Sequence, residues 1–157
     1  GSRLATASRD KTAKVFDLAT GESLATFTGH EETVLGVLFA PDGQQVVSCG
    51  KDGQVRIWSV VDAKQRRNHG VGGEALSLAP AGSDAFLCGS GDRTARLYGF
   101  DGSERKSYGE HPDWVYAVAA TADGKTIVAG SYDGTVTLHD AESGEVIRRF
   151  PAMPPKP

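Results

Sequence analysis

The sequence predicts an all-β chain built from about four antiparallel sheets, and three observations predict it. First, a ten-residue pattern occurs four times: Ser8-Arg9-Asp10-Lys11-Thr12-Ala13-Lys14-Val15-Phe16-Asp17 returns as Gly50-Lys51-Asp52-Gly53-Gln54-Val55-Arg56-Ile57-Trp58-Ser59, then from Ser90 to Gly99 and from Ser131 to Asp140. Its aspartates, Asp10, Asp52, Asp92 and Asp133, stand 42, 40 and 41 residues apart. Second, Asp-Gly pairs punctuate the chain at Asp42-Gly43, Asp52-Gly53, Asp101-Gly102, Asp123-Gly124 and Asp133-Gly134, where tight hairpins need positive φ. Third, no helical apolar stripe is present, and 20 glycines suit a chain that turns often.

A period in the low forties with strand-like content is the mark of propeller blades. Each repeat reads as four strands, a to d. The first repeat (3–28) opens at strand b, Leu4–Ser8, and continues with c, Lys14–Asp17, and d, Ser23–Thr28. The second (29–68) has a at Val34–Phe39, b at Gln45–Cys49, c at Gln54–Ser59 and d at Lys64–His69. The third (69–110) has Ala75–Ala79, Ala85–Gly89, Thr94–Gly99 and Glu104–Tyr108. The fourth (111–151) has Val115–Thr121, Thr126–Gly130, Thr135–Asp140 and Glu145–Phe150. That makes about fifteen strands, followed by a Pro-rich tail, 152–157, expected to be a linker or frayed end.

The bulk properties fit one soluble unit. The 157 residues are 39% hydrophobic and 24% charged. A net charge of -3 argues against a dedicated nucleic-acid or anionic-membrane binder, and no run of 18 apolar residues spans a bilayer. Lys64-Gln65-Arg66-Arg67 reads as a solvated outer strand. Cys49 and Cys88 read as small buried thiols rather than a disulfide. No signal-peptide pattern is present, Gly1-Ser2 looks like a cloning scar, and a cytoplasmic location is expected.

The second repeat carries Gly29-His30, then Val34-Leu35-Gly36-Val37-Leu38-Phe39-Ala40-Pro41-Asp42-Gly43, then Ser48, Asp52 and Trp58-Ser59. With three further copies in register, the chain resembles the WD-repeat (Trp-Asp) β-propeller family over nearly its whole length. The resemblance implies a buried hydrogen-bond network of His30, Ser48, Asp52 and Trp58. The counterparts are Thr6 and Asp10 with Phe16 in the first repeat, and His69 and Asp92 with Cys88 and Tyr98 in the third. In the fourth they are His111 and Asp133 with Ala129 and His139. A His–Asp contact is expected in repeats two to four, and the full relay only in the second.

His30, Ser48 and Asp52 are the residue types of a nucleophilic triad, but the repeat alignment puts them inside a blade, without a cleft or oxyanion site. His111, His139 and Asp133 contain metal-ligand types, yet repetition explains their spacing better. Gly70-Val71-Gly72-Gly73 and Gly89-Ser90-Gly91 precede no helix and so cradle no phosphate. The expectation is a non-enzyme without metal or cofactor.

The resemblance further implies a non-catalytic interaction scaffold whose partner, a protein or peptide, docks on one end of the blades. The positions it points to lie just before strand a (Thr33, Gly72, Trp114), two residues later (Leu35, Glu74, Tyr116), and just before the turn Asp (Arg9, Lys51, Gly91, Tyr132). Of these, Trp114, Tyr116, Tyr132, Lys51, Arg9 and Glu74 are the expected partner-binding residues, the aromatics being favoured anchors. Four sheets in an open stack expose two apolar flanks of roughly 500 Å² each, a loss of about 12 kcal/mol per flank at about 25 cal/mol per Å². Propellers avoid this by closing a ring. The expectation is therefore a truncated propeller that self-associates, two copies closing a ring of about eight blades. The alternatives are an accessory or catalytic propeller domain of a larger enzyme, or an excised fragment that only self-assembles.

Overall fold

Short alternating or continuously apolar runs rich in Val, Ile, Leu and Phe yield fifteen strands and no helix among the described residues. The computed structural model describes residues 1–109 and 111–152, and most of the expected tail lies outside them. β1 (Arg3–Ala7), β2 (Ala13–Asp17) and β3 (Ser23–Phe27) form a three-stranded sheet. β4 (Val34–Phe39), β5 (Gln45–Gly50), β6 (Gln54–Ser59) and β7 (Gln65–Gly70) form the second. β8 (Ala75–Ala81), β9 (Ala85–Ser90), β10 (Ala95–Gly99) and β11 (Glu104–Tyr108) form the third. β12 (Val115–Ala120), β13 (Thr126–Ser131), β14 (Thr135–Asp140) and β15 (Val146–Pro151) form the fourth.

Every sheet is an antiparallel meander in chain order, because each connection is too short for anything but a hairpin. The expected turn glycines Gly43, Gly53, Gly102, Gly124 and Gly134 all have φ between 65 and 89°. In the two turns whose aspartate is not followed by glycine, Lys11 (φ 70°) and Arg93 (φ 69°) take the same left-handed conformation. One bulge recurs where the last two strands of each sheet pair, at Val15/Phe16, Ile57/Trp58, Leu97/Tyr98 and Leu138/His139. It increases the local twist beside the strand-c aromatic each time.

The sheets follow one another side by side, β1 beside β4, β4 beside β8 and β8 beside β12. Apolar side chains fill the three seams. Ala13, Val15, Ala25 and Phe27 meet Val34, Val46 and Trp58. Val47, Cys49, Val55 and Ile57 meet Ala75, Phe86, Cys88 and Tyr98. Leu87, Ala95 and Tyr108 meet Val115, Ile127 and Ala129. Cys49 and Cys88 are free, buried thiols of the middle seam, as expected.

A single aromatic step recurs across these seams. Phe27, His69 and Tyr108 hold equivalent places on the last strand of their sheets, opposite Ala13, Val55 and Ala95. Phe27 stacks on Trp58 at 5.2 Å, His69 on Tyr98 at 4.7 Å, and Tyr108 tilts over His139 at 5.4 Å. Each ring thus covers the strand-c ring of the following sheet.

Candidate functional site

Two groups of residues claim attention: the hydrogen-bond network inside the sheets, and the surface at the ends of the b–c turns. In the second sheet the network is complete. The imidazole Nδ1 of His30 lies 3.1 and 3.0 Å from the two oxygens of Asp52, and its Nε2 lies 2.8 Å from Ser48 Oγ. Trp58 Nε1 donates to the same hydroxyl at 3.2 Å. One tautomer satisfies all of them. With Nδ1 protonated the ring donates to the carboxylate and Nε2 accepts the Ser48 proton while Ser48 accepts from the indole; Arg56 Nη1, 2.8 Å from the same Nδ1, then directs its proton to Asp52 and not to the ring. Burial lowers the His30 pKa against the pull of Asp52, which favours the neutral ring of this relay.

The aspartate has a further partner that the sequence reading did not assign. Arg56 Nη1 donates to Asp52 Oδ2 at 2.5 Å, and the Glu31 N–H to the same oxygen at 3.1 Å. Burial alone would raise the Asp52 pKa, but these donors outweigh it and hold the carboxyl below its ordinary value. Arg96 repeats the arrangement on Asp92 at 2.5 Å. The signal was in the sequence: an arginine four residues after the turn Asp in the second and third repeats, replaced by Lys14 and Thr137 elsewhere.

The expected His–Asp contact does not extend to repeats three and four. His69 is the ring on Tyr98, carried by β7 of the second sheet, and Asp92 is held by Arg96, Thr94 and the Gly72 N–H instead. The Gly72 N–H does what the Glu31 N–H does for Asp52, so Val71 stands where His30 stands. The glycines around Val71 concealed this register from the sequence. In the fourth repeat His111 is in the right place and 4% exposed, but its ring faces His139 at 5.1 Å, and Asp133 accepts from Thr135. In the first repeat Asp10 likewise accepts from Thr12, and among the described residues Thr6 joins no side-chain network, pairing with Lys14 through the strand ladder.

What all four aspartates share is local. Each accepts the backbone N–H two residues ahead: Thr12 at 2.9 Å, Gln54 at 3.2 Å, Thr94 at 3.1 Å and Thr135 at 3.0 Å. Asp recurs because it closes the turn, whether or not a histidine reaches it.

The surface residues gather at the same end of the sheets as these turns. Three matching hydrogen bonds tie the b–c turn to the start of strand a: Lys51 N–H to Thr33 O, Gly91 N–H to Glu74 O and Tyr132 N–H to Trp114 O, each 2.9 Å. Glu74 is therefore level with Trp114 rather than with Tyr116, the same displacement of register that misplaced His69. Its carboxylate lies 3.8 Å from the Lys51 ammonium of the preceding sheet. Arg9 is exposed on the first turn.

The aromatics of the fourth sheet form one group. Trp114 stacks with Tyr116 at 6.2 Å, and Tyr116 tilts against Tyr132 at 5.5 Å. They are 42%, 46% and 72% exposed, and with Asp113 they line an open hollow of about 380 Å³.

The WD domain, G-beta repeat family matches residues 21–59 and 102–140, the spans that end on the second and fourth strands c. The chain belongs to the WD-repeat family. Similar proteins include the WD repeat-containing protein 26 homolog of Arabidopsis thaliana, 28% identical across 91% of this chain and 25% of the relative. The nuclear distribution protein PAC1 of Arthroderma otae is 28% identical across 94% of this chain and 38% of its own length. A guanine nucleotide-binding protein subunit beta-like protein of Encephalitozoon cuniculi is 30% identical across 94% and 48%. The chain thus spans between a quarter and about half of these relatives. No repeat of this WD-repeat chain carries the Trp-Asp pair itself: the four pairs are Phe16-Asp17, Trp58-Ser59, Tyr98-Gly99 and His139-Asp140. Where Asp is present, at Asp17 and Asp140, it accepts backbone N–H groups of the c–d turn. WD-repeat proteins serve as protein-interaction scaffolds.

Proposed function

We propose that this chain is a protein-interaction scaffold whose docking surface is the aromatic group Trp114, Tyr116 and Tyr132, with Glu74, Lys51 and Arg9 on the neighbouring turns. The observation that carries this reading is three large rings held exposed around one hollow. A soluble surface that keeps Trp and Tyr out of its core offers rigid anchors at low entropic cost. Affinity capture from a cell extract, compared between the wild-type chain and a Trp114→Ala/Tyr132→Ala variant of equal melting temperature, tests it. Bound proteins lost from the variant support the reading; an identical retained set overturns it.

The same reading includes self-association. The outer side of the first sheet carries the facing pair Leu4 and Phe16 and the exposed Leu24. The outer side of the fourth carries Val128 with Leu138 and Val136 with Phe150. Phe150 is equivalent to Phe27, His69 and Tyr108, and Phe16 to Trp58, Tyr98 and His139. The recurring step therefore leaves one giving and one receiving ring at opposite flanks. A second copy, turned by a two-fold axis, would supply the mate to both and close about eight sheets. Light scattering on a sizing column should give twice the chain mass, falling to one chain mass for Phe150→Glu; a folded wild-type monomer at micromolar concentration overturns this part.

A further inference from the structure

The hollow beside Trp114 has a chemistry of its own. Its described lining is Asp113, Trp114, Tyr116 and Tyr132, three π faces and one carboxylate, with no cation among them. Asp113 Oδ1 accepts the Trp114 backbone N–H at 2.8 Å, which anchors one carboxylate oxygen at the edge of the hollow. The Trp114 indole lies beside Gly91 of the neighbouring sheet, where any side chain would touch its Cδ2, and its carbonyl accepts the Tyr132 N–H. The negative faces of aromatic rings attract cations, and an adjacent carboxylate adds a charge-assisted partner.

The ring angles narrow the choice of cation. Trp114 and Tyr116 are 19° from parallel, and Tyr116 and Tyr132 are 36° apart. No neighbouring pair of these rings meets near a right angle, so they do not box in a sphere from perpendicular sides. Faces this close to parallel suit a flat cation, which stacks on a ring and turns its N–H edge to a carboxylate. We propose that the hollow takes an arginine guanidinium of a protein or peptide partner, stacked on the Trp114–Tyr116–Tyr132 strip and paired with Asp113. The proposal rests on the docking surface above and names its partner's anchoring group.

Trp114 supplies the readout, because the chain's other tryptophan, Trp58, is fully buried. The full chain is titrated with end-blocked Gly-Gly-Arg-Gly-Gly peptide and with its citrulline, lysine and trimethyllysine counterparts while Trp emission is followed. The arginine peptide should give a saturable change and bind at least about five-fold tighter than the citrulline peptide and tighter than either lysine form. Asp113→Asn should weaken arginine binding by about five-fold and leave citrulline unchanged. Equal binding of arginine and citrulline, tighter binding of trimethyllysine, or no saturable change with any peptide overturns the guanidinium. Partner capture that still depends on Trp114 would then show that the docking surface stands while its assigned anchor falls.

Discussion

The imidazole of His69 lies over the phenol ring of Tyr98, 4.7 Å between centroids, in the place where Phe27 lies over Trp58. A histidine that the repeat pattern offers to an aspartate is instead a seam ring. The two roles make opposite demands. His69→Phe keeps the stacked ring and removes a buried Nε2 that has no hydrogen-bond partner, so stability should change by less than about 1 kcal/mol or rise. His30→Phe removes the donor to Asp52 and the acceptor of Ser48 and should cost about 2–4 kcal/mol. Urea denaturation of the two variants checks the contrast; equal losses would restore His69 to the network.

Ser48 is the pivot of the relay, bonded to both His30 and Trp58 and fully buried. Ser48→Ala leaves two buried ring nitrogens unpaired and should cost about 1–3 kcal/mol. The third and fourth sheets have Cys88 and Ala129 there; His139 gives its Nδ1 proton to Gly144 O at 3.2 Å and leaves a buried Nε2 without a partner among the described residues, so Ala129→Ser should gain up to about 1 kcal/mol by donating to it. Thermal melting of both variants checks the loss and the gain.

The b–c turns predict effects of opposite sign. Arg93 has φ 69°, a conformation that glycine adopts without strain, so Arg93→Gly should stabilise by up to about 1 kcal/mol. Gly53, at the same turn position one sheet earlier, also has φ 69°, and an added Cβ would meet Gly73 O at 2.8 Å. Gly53→Ala should therefore cost about 1–3 kcal/mol. Chemical denaturation reads both, and a loss of stability in Arg93→Gly would refute the turn argument.

His111 gives the fold a pH dependence. Burial, with His139 and Arg149 nearby, pushes its pKa down to about 4, against about 6.5 for an unfolded histidine. The unfolded chain binds the proton first. Stability from this residue is whole above pH 6.5 and is lost as pH falls towards 4, by at most about 1.4 kcal/mol per pH unit. His111→Val, which copies Val71 at the equivalent place, should lessen the fall of the denaturation midpoint between about pH 6.5 and 4.5 and leave the share of His30 and His69, whose pKa values burial also lowers. An unchanged slope would show that His111 is not the group titrating.

The sequence by itself determined the sheets, their order and their turns. A period near forty and five Asp-Gly pairs act through local backbone conformation, so fifteen strands were legible to within a residue or two at most ends. The relay of the second sheet was legible as well, because all four of its side chains lie in one repeat. Only the tertiary structure decided how the third and fourth repeats use their histidines, that Arg56 and Arg96 hold the turn carboxylates, and that Glu74 is level with Trp114. The two arginine pairs are local to a hairpin, but the ring contacts of His69 and Tyr108 cross from one sheet to the next, and the level of Glu74 depends on how a Gly-Val-Gly-Gly connection packs rather than on any spacing along the chain. The same reason separates the aromatic seam from the pattern that encodes it: Phe27, His69 and Tyr108 share little chemistry as letters, and become one feature when each meets the ring of its neighbour.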